Sequence, residues 1–157
     1  MNNRLKELIR LNKEKIKKNS SIQELYGKPF EELLELISPE YFLLTEEESK
    51  IFIHKFCNKF PITFYGRIDW SILNGILAEN IEEIICNEKI NLNAEIFIIF
   101  NDGSIPVVKT KIEKILKRYN ELSCIGFDQW IITKNEEIMI ELYHEGEIKY
   151  WAKSTIR

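Results

Sequence analysis

The sequence predicts an α+β fold in which N-terminal helices pack on a mainly antiparallel sheet ending in a C-terminal meander. Three observations carry that prediction. Apolar residues recur at helical spacing through roughly the first 60 positions, an unbroken apolar run occupies residues 96–100, and short alternating segments separated by polar turns fill the last third. No repeat, low-complexity tract or long linker divides the chain, so residues 1–157 are expected to form one domain.

The elements follow in order. Leu5, Leu8, Ile9 and Ile16 recur among charges and predict an amphipathic helix over 3–18. Asn19-Ser20-Ser21 ends it and caps a short helical piece from Ile22 to Tyr26, which Gly27 closes. Pro29 starts the next helix, with Phe30, Leu33, Leu34 and Ile37 inward and Glu31, Glu32 and Glu35 outward, and Ser38-Pro39 stops it. Thr45 followed by Glu48 has the spacing of a capping box. Phe52, Phe56 and Phe60 mark one face of the helix it opens.

After Pro61 the pattern shortens. Ile62–Tyr65 predicts a strand, Asp69 caps a helix presenting Trp70, Leu73 and Leu77, and Ile81–Cys86 predicts another strand. Ala94–Phe100 is the strongest strand, and its lack of alternation implies cover on both faces. Asn101-Asp102-Gly103 supplies a turn, and Val108, Ile112, Ile115, Leu116 and Tyr119 predict a helix with Lys117 and Arg118 near its C-terminal end. The meander comprises Trp130–Thr133, Ile138–Tyr143 and Glu147–Ala152, with Gly146 suited to a left-handed turn position.

Composition narrows the function classes. Apolar residues at 45% and charged ones at 30% are those of a folded globular chain rather than a disordered one. No apolar run approaches the roughly 20 residues that cross a bilayer, and the N-terminus leads into a charged amphipathic stretch rather than an apolar signal core. Cys57, Cys86 and Cys124 are odd in number, widely spaced and flanked by apolar residues, which predicts reduced core thiols in a cytoplasm. Net charge is −3 but uneven. The first 19 residues are basic (Arg4, Lys6, Arg10, Lys13, Lys15, Lys17 and Lys18 against Glu7 and Glu14), whereas Glu24 to Lys50 is rich in glutamate.

A search for chemistry finds fragments. His54 and Cys57 lie three apart on an expected helix, but no third member of a triad accompanies them. No CxxC, CxxH or HExxH spacing occurs, so no metal site is expected. The glycines are isolated and form no phosphate cradle. Asn101-Asp102-Gly103 matches part of a calcium loop but lacks its spaced ligands and terminal glutamate. His144-Glu145 is expected at an exposed hairpin tip, and Asp128 and Trp130 read as a turn acid followed by a core or rim aromatic. The basic first helix permits salt-sensitive phosphate binding, yet it lacks stacking aromatics and the rest of the chain is acidic, so a solvated face is the favoured reading.

The segments Ile96–Gly103, Pro106–Lys109, Phe127–Trp130 and Glu141–Ile148 together resemble bacterial immunity proteins of contact-dependent growth-inhibition systems, over about residues 94–150. The resemblance implies a cytoplasmic, non-enzymatic protein without cofactors that binds the C-terminal toxin domain of one delivered effector, often a nuclease, and blocks it. Nuclease toxins need cationic surfaces to hold phosphates, and carboxylates complement such a surface. Glu31, Glu32, Glu35, Glu46, Glu47 and Glu48 are therefore the expected contact residues. Two other classes stand beside this one: a small hydrolase or nuclease using His54 or His144, and a nucleic-acid adaptor using the basic helix.

Overall fold

A computed structural model describes Arg10 and residues 21–153. Of the helix expected over 3–18 only Arg10 is described, and it is helical; the other residues, with most of the basic cluster, lie outside the described residues. Residues 21–26 are helical and end at Gly27, as expected.

Among the described residues seven strands form one sheet: β1 (Tyr41–Leu43), β2 (Ile76–Ala78), β3 (Glu95–Phe100), β4 (Val108–Lys111), β5 (Gln129–Thr133), β6 (Ile138–Leu142) and β7 (Ile148–Ala152). Their order is β1-β4-β3-β5-β6-β7-β2, and every pairing is antiparallel. The helices are α1 (Lys28–Ile37), α2 (Glu46–Lys59), α3 (Ile81–Asn87), α4 (Ile112–Ile115) and α5 (Tyr119–Ser123). The α+β layout and the closing meander β5-β6-β7 are those the sequence predicts.

Both faces of the sheet are covered, as the run at 96–100 implies. On one face Ile96, Ile98, Phe100, Ile131, Ile140 and Tyr150 pack with Phe30, Leu33, Leu34 and Ile37 of α1 and with apolar residues of α3, α4 and α5. On the other, Ile99, Trp130, Ile132 and Met139 meet Phe56 and Phe60 of α2 together with Ile68. Side chains alternate across a strand, so β3 sends Ile98 to the first core and Ile99 to the second.

The first half follows its caps. Pro29 stands in the first turn of α1, and Phe30, Leu33, Leu34 and Ile37 are its buried residues. At α2 the Thr45 hydroxyl accepts from Glu48 N at 3.2 Å while Glu48 Oε2 accepts from Thr45 N at 2.8 Å, the capping box that the spacing predicts.

The middle differs in four places. Ile81–Cys86 is helical rather than a strand: Asn80 Oδ1 accepts from Glu83 N at 2.8 Å, and Ile81, Ile84 and Ile85 fall on one helical face. The β-branched run suggested a strand, but the cap and the i, i+3, i+4 spacing decide the conformation. Ile62–Tyr65 makes only an isolated bridge, Ile62 to Ile68, because Gly66 (φ 81°) folds the chain back through a turn closed by Gly66 N to Thr63 O at 2.9 Å. The helix expected from Asp69 reduces to turns. Asp69 Oδ1 caps Ser71 N at 3.1 Å, and Leu77 belongs to β2, which pairs with β7. Val108 begins a strand rather than a helix; the helical part is split into α4 and α5 where Lys117 takes φ 57°.

β1 has no counterpart in the sequence reading; three residues between two helices carry too little pattern to announce a strand. The cysteines are also corrected. Cys57, Cys86 and Cys124 are free and exposed rather than core, because each stands beside the apolar stripe of its segment instead of on it.

Candidate partner-binding site

Antiparallel pairing gathers several loops at one end of the sheet. β3 ends and β4 begins there, β5 starts there, and the β6–β7 hairpin turns there. The end consists of residues 62–68, 101–107, 126–128 and 143–147. The first turn of α2 adjoins it, for Glu46 and Ser49 line a groove with Ser104 and Pro106, and Ser49 Oγ accepts from Val107 N at 3.0 Å.

Beneath the loops lies Glu141, 1% exposed next to the last residue of β6. Its carboxylate accepts from Arg67 Nη2 at 3.1 Å, Ile68 N at 3.0 Å, Trp70 Nε1 at 2.6 Å and Trp130 Nε1 at 3.0 Å. A buried carboxylate is tolerated when its lone pairs are filled and an opposite charge faces it, and both conditions are met. Burial works against the Arg67 charge, but the charge and hydrogen bond of Glu141 outweigh it, so the guanidinium is held above its ordinary pKa. Arg67 also stacks over Tyr143, 3.5 Å from the ring centroid, and lies 3.5 Å from Glu147 Oε1. Glu147 in turn is held below the usual carboxylate range, first by Lys149 and then by Arg67. Trp70 reaches Glu141 by lying on Gly75, where a Cβ would sit 2.2 Å from the indole.

A second buried acid joins two of the loops. Asp128 Oδ1 accepts from His144 N at 3.1 Å and lies 2.9 Å from His144 Nδ1, which donates to it in the tautomer this contact requires. Asp128 is thus a buried structural tie rather than a turn acid, while His144 lies exposed at the hairpin tip, as expected, and is anchored there by Asp128. The two bonds tie the 126–128 loop to the β6–β7 hairpin and so position both.

The expected contact glutamates are separated by the fold, and several have local tasks. Glu46 pairs with Lys50 at 2.6 Å, which lowers its pKa, and Glu48 closes the capping box. Glu32 lies 3.4 Å from Lys28; Glu31 occupies the first turn of α1; Glu47 is exposed in the first turn of α2, and Glu35 is exposed further along α1. The imidazole of His54 lies 3.0 Å from Asn58 Nδ2, both exposed, so its close polar partner is Asn58. Asn101-Asp102-Gly103 forms the turn expected of it. Asp102 Oδ1 accepts from Ser104 Oγ at 2.7 Å and N at 3.0 Å, and both bonds depress its pKa. Among the described residues no group of three or more His, Cys, Asp or Glu could hold a metal ion, and no helix is long and apolar enough to cross a membrane.

Sequence reasoning missed Arg67, Glu141, Phe64, Tyr65 and Phe127. Glu141 had a readable signal: an acid inside a strand of a sheet covered on both faces must be buried and therefore partnered. Phe64 and Tyr65 were absorbed into an expected strand.

The family model of the CdiI immunity protein, EcoliA0-like, matches residues 28–151, a span that contains all five numbered helices and runs from the start of α1 into β7, short of its last residue. The chain belongs to that family. The match confirms the resemblance noted over 94–150 and extends it N-terminally through α1 and α2. It makes the chain a toxin-neutralising immunity protein, and at family level the role is non-enzymatic. No curated protein sequence matches the chain.

Proposed function

We propose that this CdiI-type immunity protein acts in the cytoplasm, binding the C-terminal toxin domain of one growth-inhibition effector one-to-one and blocking it without catalysis, and that the toxin is a nuclease. Family membership over residues 28–151 carries the inhibitory role. Support for a nuclease is electrostatic. Glu46, Glu47 and Glu48 form an exposed acidic first turn of α2, and Glu31, Glu32 and Glu35 add carboxylates on α1. A nuclease presents cationic surface to phosphates, and such a carboxylate field speeds encounter with it. The expected contribution is to association rate, since exposed charges attract over about a Debye length of 8–10 Å.

The test is co-expression with the effector domain encoded beside this gene, reading cell survival and co-purification. Survival and a one-to-one complex are the expected result; dead cells and no complex would sink the proposal. Assay of the isolated toxin on RNA and DNA decides its chemistry. Reversal of Glu46 and Glu47 to lysine, which spares the capping box, should slow association and flatten its salt dependence. Unchanged kinetics would remove these residues from the contact while leaving the immunity role standing.

A further inference from the structure

We infer that the toxin domain is gripped chiefly by a ring of aromatic loops, Phe64, Tyr65 and Phe127 around the anchored Tyr143–His144 turn, rather than by the helix glutamates. The inference rests on the immunity reading above and names the surface through which it operates.

Phe64, Tyr65 and Phe127 are 89%, 77% and 69% exposed. A single exposed ring is ordinary, as at Phe42, but several large rings gathered on neighbouring loops form an apolar patch of the kind that marks a contact surface. They also sit together. The Phe64 and Tyr65 rings are 4.0 Å apart, and Gly66 next to them lies against Asn101, whose Oδ1 is 3.7 Å from the position of a Cβ on that glycine. The neighbouring Asp102 lies against Gly126, one residue before Phe127. Phe127 stands 5.6 Å from His144, His144 is 4.2 Å from Tyr143, and Tyr143 lies under Arg67, which returns to the Gly66 loop. The contacts close a circuit through all four loops.

The base of the ring is tied down by hydrogen bonds. Glu141 fixes Arg67 and Ile68, Asp128 fixes His144, and the 63–67 turn is closed by Thr63 N to Arg67 O at 2.7 Å. Aromatic side chains with two rotatable bonds on a fixed backbone lose little entropy on binding, which is the property of interface hot spots. The carboxylates of Asp102 and Glu145 flank the ring, and the described cations beside it, Arg67 and Lys149, are both committed to carboxylates. The ring therefore fits a toxin face that offers apolar pockets bordered by basic side chains.

The test uses the full chain and a catalytically inactivated form of the effector's C-terminal toxin domain. Binding kinetics are measured for the wild type, for the triple variant Phe64→Ala/Tyr65→Ala/Phe127→Ala, and for Phe42→Ala. Phe42 is 60% exposed on edge strand β1, outside the loop circuit. The triple variant should bind about 100-fold or more weakly, mainly through faster dissociation, with Phe42→Ala unchanged. Amide exchange on the wild-type complex should slow in 63–67, 126–128 and 143–146, an arm that needs no variant to fold. A triple variant binding within about threefold of wild type, or exchange slowed elsewhere and not in these loops, overturns the ring. If the wild type itself fails to bind, the immunity reading has failed instead.

Discussion

The two ends of the sheet handle charge in opposite ways. At the loop end the key carboxylate is inside: Glu141 is buried under four donors, and aromatic rings occupy the surface above it. At the opposite end the carboxylates are outside. Glu40 meets Lys111 and Lys114, Glu95 bridges Lys109 and Lys134, and Glu136 holds Lys59 at 2.5 Å. The residue type is the same, but the medium differs. Water and salt screen an exposed pair until little stability depends on it, whereas a buried carboxylate has only its protein partners. One end is organised to hold loops still, and the other to keep a sheet end polar and soluble.

The contrast breaks most visibly at Glu141. Glu141→Ala should cost about 3–5 kcal/mol, because Arg67 keeps its charge and two indole N–H groups lose their acceptor. Glu141→Gln should restore little of this: all four partners donate, so the amide nitrogen would face donors. Urea denaturation measures both, and a loss below about 1 kcal/mol for Glu141→Ala would show that the network is not what fixes the loops.

Core truncation sets the scale for that figure. Ile98, fully buried in β3, should cost about 2–5 kcal/mol when cut to alanine. If Glu141→Ala is the milder of the two, the loop end is held by packing rather than by its polar base. A narrower probe is Gly75→Ala. The new Cβ must push the Trp70 indole, and overpacking of this kind costs about 1–3 kcal/mol. Tryptophan fluorescence should shift as Trp70 leaves Glu141, and an unchanged spectrum with unchanged stability would mean that the loop yields freely.

Legibility in the sequence also divides by region. α1 and α2 were readable because their caps and stripes are local: Pro29, the Thr45–Glu48 box and the Phe52, Phe56, Phe60 spacing all act within a few residues. β3 and the meander were readable because turns and apolar runs bound them. Ile81–Cys86 was misread although its signals are local: the β-branched run outweighed the Asn80 cap and the helical spacing of Ile81, Ile84 and Ile85. Residues 62–78, by contrast, were misread because their conformation is decided at long range. Ile68 and Trp70 answer to Glu141 more than 70 positions away, and β2 exists only by pairing with β7. The aromatic ring was illegible for the same reason, since its members meet only after four loops converge. The glutamates drew attention because they are close in sequence, yet local pairing and capping account for several of them.

The smallest effect lies at the lysine end and is a titration. Glu95 is held down to about 2, first by its hydrogen bond to Lys109 and then by that to Lys134, against an ordinary value of 4.5. A depressed folded-state pKa means that the unfolded chain takes up its proton first as pH falls. Whatever the bridge contributes is therefore fully present above the unfolded value near 4.5 and is lost on the way down to about 2. Because the group is exposed, that contribution should be slight and should shrink further in high salt. Carboxyl-carbon NMR should find Glu95 still ionised at pH 3, where an unperturbed glutamate is protonated. Replacing both Lys109 and Lys134 with methionine should return it to the ordinary range with little change in stability at neutral pH. A large loss of stability in that double variant would erase the distinction between the ends, since it would show surface ion pairs holding this sheet as firmly as the buried one.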